Sequence, residues 1–135
     1  MNEISSARVA HQSFIQDSIK SYNHERLFCK AAALVVAAGA FIVQVNVSTP
    51  GVVSLFALGA AFILLVLWLQ DTHHYQTKCA YAKLHDISRM AEQTDFDMDV
   101  DRYRTQTTFA NALWAPPASW LYIGLIFIVA LLSLF

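Results

Sequence analysis

Two long stretches without a charged side chain constrain this chain more than any other feature. No Asp, Glu, Lys or Arg occurs from Ala31 through Gln70, and none occurs from Thr105 through Phe135. Charged residues make up 14% of the chain, against about 25% in ordinary globular domains. The core of one small domain cannot bury so much continuous apolar chain, so the sequence indicates an integral membrane protein.

The apolar stretches divide into three predicted spans. A helix of about 20 mostly apolar residues crosses a bilayer, and segments of this kind cover about residues 27–46, 52–70 and 118–135. Pro50 and Gly51 interrupt the chain between the first two, so these spans should form a tight antiparallel hairpin. We expect an all-α membrane protein with three transmembrane helices. Residues 1–135 then form a single membrane domain, with a cytoplasmic helical insert over residues 71–117.

The basic residues predict the orientation of the chain. All nine Lys and Arg lie either before Ala31 or between the second and third spans. The positive-inside rule places both of these segments in the cytoplasm. The N-terminal segment is polar and has no apolar core of a cleaved signal peptide. The chain is therefore expected in a bacterial inner membrane, with a cytoplasmic N-terminus and a periplasmic C-terminus.

Both cytoplasmic flanks of the hairpin are expected to be helical. Residues 3–30 predict a cytoplasmic N-terminal helix that continues into the first span. No Gly or Pro occurs from Asp71 through Gln93, so the helix of the second span should project past the membrane. Residues on one face of that projection recur at spacings of three and four: Thr77, Ala80, Leu84, Ile87, Ala91 and Thr94. This stripe predicts packing against another helix, either the N-terminal one or one of a neighbouring subunit.

The opposite face of the projecting helix is a candidate ligand- or partner-binding face. Its residues are polar, aromatic or basic: His74, Lys78, Tyr81, His85 and Arg89. A nucleotide, a lipid headgroup or an acidic protein surface would suit this charge, and a solvated helix face is the alternative. Positions 74 and 85 lie about 16 Å apart along a helix, too far for their histidines to share a metal ion. We expect no metal site, no cofactor and no catalytic residue.

The segment before the third span contains alternate aspartates. Over residues 95–101 the pattern is similar to a calcium-binding loop, but the required Gly and Glu at the sixth and twelfth positions are missing. We interpret it as an acidic turn in which Asp99 is the N-cap of a helix over residues 100–114. That helix should lie along the membrane surface. Pro116 and Pro117 should then begin the third span.

The composition of the spans bears on assembly and on function. Small residues in the first two spans predict close helix packing at Ala33, Ala37, Gly39, Gly59 and Ala60. The third span is bulky and should face lipid or line an outer ring. No ionisable residue lies deep in a span, which argues against a transporter or an electron carrier. An oligomeric pore remains open as a hypothesis, and its candidate lining residues are Gln44, Asn46 and Ser54.

A family resemblance adds to these observations. The segment Gln70–His85, with the sequence QDTHHYQTKCAYAKLH, together with the N-terminal helix and the apolar hairpin, resembles the SLATT family. These are bacterial two-span membrane effector domains, and the resemblance covers about residues 15–93. It implies a homo-oligomeric, pore-forming effector of antiviral defence in contact with membrane lipid. A nucleotide signal or a separate sensor protein would be its trigger. The predicted third span departs from the two-span pattern.

Two functions follow as hypotheses. The first is an oligomeric membrane-perturbing effector that forms a pore and is not an enzyme. The second is a structural or accessory subunit of a larger membrane complex, including an immunity protein that blocks a toxin in the membrane. The net charge of −1 gives no reason to expect a nucleic-acid partner.

Overall fold

The computed structural model describes residues 3–47, 49–90, 100–104 and 108–132. This part of the chain is all-helical and contains no strand, which confirms the all-α part of the predicted fold class. Its helices are α1 (Glu3–Asn46), α2 (Pro50–Met90), α3 (Asp101–Arg104), α4 (Phe109–Leu113) and α5 (Pro116–Leu132). Of these, α1 and α2 are long and apolar enough to cross a membrane.

The helix α1 is continuous over 44 residues, as the sequence predicts. It ends at Asn46, whose side-chain amide donates a hydrogen bond of 2.7 Å to the carbonyl of Ile42 on its own last turn. The helix α2 begins at Pro50, where a missing backbone N–H costs nothing because the first helical N–H groups have no partner. The amides of Val52 and Val53 then donate to the carbonyl of Thr49. The predicted tight hairpin between the two long helices is therefore confirmed.

The projection of α2 beyond its apolar segment is confirmed as far as Met90. The predicted stripe along this projection is buried at three positions, Thr77, Ala80 and Leu84. Ile87, in contrast, is 47% exposed, and the stripe positions 91 and 94 lie outside the described residues. The buried part of the stripe faces the interior of this chain, so an intrachain contact accounts for it.

The prediction of one unbroken helix over residues 100–114 is wrong. The helix α3 ends at Arg104 and α4 begins only at Phe109. Between them, Thr108 has an extended backbone, with φ −60° and ψ 145°. Three of the four residues at 105–108 are threonines, whose β-branched side chains disfavour a helix. The predicted N-cap Asp99 lies outside the described residues.

The helix α5 begins at Pro116, as predicted, and it packs against both α1 and α2. Two of its side chains, Tyr122 and Val129, enter the main core. The hairpin supplies the other core residues, which are Ala33, Ala57, Ala60 and Leu64. The opposite face of α5 is exposed at Trp120 and Phe127. One face of α5 therefore packs against the hairpin, whereas the prediction was only that the third apolar segment faces lipid or lines an outer ring.

Large apolar side chains cover the outside of the hairpin. Of the most apolar 18-residue stretch of α1, only 11% is buried inside the molecule, and of the corresponding stretch of α2 only 17% is buried. The central helix of a soluble protein would be mostly buried, and monomeric soluble proteins rarely expose such continuous apolar surface. The core described above is correspondingly thin, and the apolar surface points outwards.

Candidate functional site at the distal end of the hairpin

A buried ion pair joins α1 to α2 where the apolar segments end. The pair lies near the middle of each helix, and we use the term distal end for the whole half of the hairpin from this pair outwards, away from the turn at residues 47–49. Arg26 and Asp71 lie at almost equal distances along the chain from that turn, so an antiparallel hairpin brings them to the same level. The Nε of Arg26 donates to Asp71 Oδ1 at 2.6 Å, and the two side chains are 8% and 0% exposed. Charges buried to this degree are tolerated only when they are paired.

One turn along α2, an aromatic ring covers the guanidinium. The Cζ of Arg26 lies 4.6 Å from the centroid of the Tyr75 ring, which is cation–π geometry. Burial, and next the neighbouring Cys79 thiol, raises the pKa of Tyr75 above its usual value. The phenol therefore stays neutral at physiological pH, and Asp71 remains the counter-charge of Arg26.

Several buried polar atoms around this pair have no hydrogen-bond partner among the described residues. In the described part of the chain, Arg26 Nη2 and Asp71 Oδ2 are buried without a hydrogen-bond partner. The same holds for the hydroxyl of Tyr122, a fully buried residue of α5. Tyr122 lies within electrostatic range of both Arg26 and Asp71. We call Arg26, Asp71, Tyr75 and Tyr122 the polar cluster; its members come from three helices.

Beyond the polar cluster, α1 and α2 contact each other through the predicted binding face of α2. His74 Nδ1 lies 2.9 Å from Glu25 Oε2, although the two are not aligned for a hydrogen bond. Tyr81 stacks on Tyr22 with ring centroids 5.7 Å apart.

Farther out, His85 Nε2 accepts a hydrogen bond of 3.3 Å from the Gln16 amide. Lys78 is half-buried, and the side chain of Arg89 lies outside the described residues. Three of the five side chains predicted to bind a ligand or partner thus contact α1. Their role in external binding stays a prediction.

Arg104 of α3 anchors the segment after α2 to the same helix. Its Nη2 donates to Thr77 Oγ1 at 2.8 Å and to His73 Nε2 at 3.1 Å. Its backbone carbonyl accepts a bond of 3.4 Å from the Gln76 amide. Partial burial, and then electrostatic interactions with Arg104 and His74, lower the pKa of His73 below its ordinary value. His73 is therefore neutral near pH 7, and its Nε2 is available as the acceptor.

A groove of about 380 Å³ with a mixed polar and apolar lining lies beside the ion pair. Both long helices line it, α1 through His24, Glu25, Phe28 and Cys29 and α2 through Gln70 and His74. Among the described residues, no group of three or more His, Cys, Asp or Glu side chains is arranged to hold a metal ion. The groove combines one carboxylate with two imidazoles at the boundary between polar and apolar chain.

The other end of the hairpin is different in kind. A groove of about 470 Å³ opens between α1 and α2 toward the turn, and its lining is almost entirely apolar. Gly39, Gly59 and Ala60 are among its lining residues. A Cβ added at either glycine would meet no atom within 4 Å, so these two glycines are not required for close approach within one chain. Of the other predicted packing residues, Ala33 and Ala60 are buried in the core and Ala37 packs against it.

The predicted pore-lining residues lie near the turn. Gln44 is half-buried, whereas Asn46 and Ser54 are exposed. The amide of Asn46 is bonded to its own helix. A single chain does not enclose these residues, and their lining of a pore stays a prediction about an assembly.

The Arg26–Asp71 pair and the Arg104 anchor are not among the predicted contacts. Arg26 and Asp71 lie just outside the predicted spans. One signal was available: the two residues bracket the apolar hairpin at matched distances from its turn, and opposite charges at matched positions of a hairpin favour pairing. Arg104 had no such signal, because its contacts depend on how the chain returns to α2 after residue 100.

Comparisons with protein-family models, with curated proteins and with solved structures find no match to this chain. The resemblance to the SLATT family therefore stays a prediction based on the residues quoted above.

Proposed function

We propose that this chain is a three-span protein of a bacterial inner membrane that assembles with copies of itself and permeabilises the membrane. The observation that carries the proposal is the open apolar groove between α1 and α2, which the chain itself leaves unfilled. A membrane-embedded groove lined by glycine and alanine suits the close approach of another helix. The resemblance to an effector family points in the same direction.

The third span of the proposal is α5. Its 17 described residues extend roughly 25 Å, somewhat less than the apolar thickness of a bilayer. It begins at the distal end, since Tyr122 lies in electrostatic range of Asp71. Trp68 and Trp114 meet edge to face near this level, with ring centroids 6.2 Å apart. Tryptophans favour the membrane–water interface, which supports a membrane boundary at the distal end.

The orientation of the proposal rests on the basic residues and has its own test. A reporter that is active only in the periplasm should function when fused after Phe135 and should be inactive when fused after Asp97. The reverse result would contradict a cytoplasmic N-terminus.

A ring of hairpins would place Gln44, Asn46 and Ser54 near the periplasmic side of a central path. Such a path is weakly polar and carries no ring of charge, so it should discriminate poorly among ions. The trigger would be a nucleotide signal or a separate sensor protein. A surface near the distal end would receive it, since that end lies in the cytoplasm in the proposed orientation.

The decisive experiment measures the membrane potential of bacteria that express the chain. We expect a voltage-sensitive dye to report loss of potential with the wild type but not with Gly59→Leu, because the leucine fills the groove. Gly124→Leu is the matched control: Gly124 lies on α5 outside the groove, and an added Cβ there also meets no atom within 4 Å. The pore hypothesis would be overturned if cells that express the wild type keep their membrane potential, or if cells that express Gly59→Leu lose it equally.

The same groove also suits a helix of a different membrane protein. This favours, as a second candidate, an accessory subunit of a larger complex or a membrane immunity protein. The mass of the protein purified in mild detergent separates the two functions. Many copies in one particle support the effector, whereas one copy that co-purifies with another chain supports the subunit.

A further inference from the structure

The geometry points to an internal hydration site between α1, α2 and α5, in which buried water bridges the Arg26 guanidinium, the Asp71 carboxylate and the Tyr122 hydroxyl. This site is a property of the single chain. It does not depend on whether copies of the chain assemble into a pore.

The unused polar atoms carry this inference. Arg26 Nη2 offers a proton and Asp71 Oδ2 offers lone pairs, and both are buried without a hydrogen-bond partner among the described residues. The Tyr122 hydroxyl can do either and is equally unpartnered. All three side chains are more than nine-tenths buried. A buried polar group without a partner is costly, and native proteins almost always supply one from the chain or from ordered water.

Other buried hydroxyl groups nearby do have hydrogen-bond partners. Thr72 and Ser119 are also buried, yet each donates to the carbonyl four residues earlier on its own helix, at 2.8 Å and 3.2 Å. Tyr122 cannot do this, since its hydroxyl is carried at the far end of a rigid ring. Tyr122 lies in the core that α5 forms with the hairpin. The partner must therefore come from between the helices.

The chemistry of the site selects the occupant. The Arg26 and Asp71 charges balance each other, so the site does not attract an ion of either sign. Burial of more than nine-tenths of each of the three side chains excludes a lipid headgroup. A water molecule needs two to four polar partners in a buried site, and donors and acceptors of the required kinds are present here. The indole N–H of Trp68 is a further buried donor without a partner, one turn before Asp71.

Radiolytic labelling of the full chain in lipid nanodiscs tests the inference. An X-ray pulse generates hydroxyl radicals from water, and a side chain with no exposure is oxidised only if water lies beside it. We expect Tyr122, corrected for its intrinsic reactivity, to be oxidised several-fold faster than Leu64 and Val129, which are equally buried. A bulk radical scavenger should slow oxidation of exposed His24 and leave Tyr122 unchanged.

A variant and two adverse outcomes complete the test. Arg26→Leu combined with Asp71→Leu removes both charges together and should reduce oxidation of Tyr122 to the level of Leu64. If Tyr122 is oxidised no faster than Leu64 in the wild type, the site is dry and the inference is wrong. If oxidation of Tyr122 persists in the double variant, the pair does not hold the water. Should the double variant fail to fold, the wild-type comparison and the scavenger still decide.

Discussion

The two ends of the hairpin are held together by different means. At the distal end, α1 and α2 meet through directional contacts: the Arg26–Asp71 pair at 2.6 Å, and the stacked rings of Tyr22 and Tyr81. Toward the turn the helices share apolar contacts and then separate around an open groove. Directional contacts fix the register of two helices, whereas small apolar residues leave it adjustable. We infer that the distal end specifies the fold; in the proposed assembly, lipid or another helix completes the turn end.

Removal of one member of the buried pair should have the largest effect. Asp71→Asn leaves the Arg26 charge buried without its counter-charge, and we expect a loss of about 3–5 kcal/mol in the free energy of unfolding. Unfolding of the detergent-solubilised protein, followed by helical circular dichroism, measures this loss. The matched control is Asp17→Asn, whose pair with Lys20 is 73% and 76% exposed; its expected change is within about 1 kcal/mol. Equal effects of the two variants would remove the contrast between the ends.

Loss of the α3 anchor should have an intermediate effect. Arg104→Ala removes the hydrogen bonds to Thr77 and His73, and bonds to a charged group are worth about 1.5–3 kcal/mol each. Since α3 is short, we expect local detachment: hydrogen exchange of the amides at residues 101–104 should accelerate, while that of α1 is unchanged. Arg104→Lys retains the charge but loses the planar guanidinium group, so its exchange rate at residues 101–104 should lie between those of the wild type and of Arg104→Ala. Unaltered exchange in Arg104→Ala would show that other contacts hold α3.

Acidification should weaken the same anchor. The pKa of His73 lies below its ordinary value, so the unfolded or detached state takes up a proton more readily than the docked state. The docking contribution is therefore complete above the ordinary histidine pKa of about 6.5 and declines as the pH falls below it.

The groups that face His73 are Arg104 and His74, and Asp101 interacts with Arg104. Protonation of His73 removes an acceptor and adds a second positive charge beside Arg104. The protection factors of the amides at residues 101–104, which are corrected for the intrinsic exchange rate at each pH, should fall in the wild type when the pH is lowered from about 7.5 to about 5.5. They should stay nearly constant in His73→Asn. A pH effect of the same size in both proteins would assign it to another group.

The smallest expected effect belongs to the turn end. Gly59→Ala should stabilise a single chain by about 0.5–1 kcal/mol, because alanine favours a helix interior and the added Cβ meets no atom. Gly124→Ala should do the same. If a second copy fills the groove, only Gly59→Ala also lowers oligomer mass in mild detergent. Identical masses for the two variants would place the contact between copies elsewhere.

Local signals predicted most of the fold. The absence of Gly and Pro from 71 to 93 predicted the projection of α2, and Pro116 predicted the start of α5. The prediction failed where two signals competed: polar positions over 100–114 were compatible with a surface helix, but the threonines at 105–108 oppose one. The Arg26–Asp71 pair was missed for a different reason. It depends on the register between two helices, which the turn and the packing set together.

The position of the buried pair has a mechanical consequence. Arg26 and Asp71 lie close to the middle of α1 and of α2, so the hairpin is joined at its turn and again near its midpoint. The helix halves between the turn and the pair are therefore connected at both ends. The helix halves beyond the pair are held together by weaker contacts, such as the Gln16–His85 hydrogen bond. A force that separates these outer halves can act on the inner halves only by rotating the two helices about the Arg26–Asp71 contact. Arg26 and Asp71 thus form the pivot through which movement of the outer half of the hairpin is transmitted to the inner half.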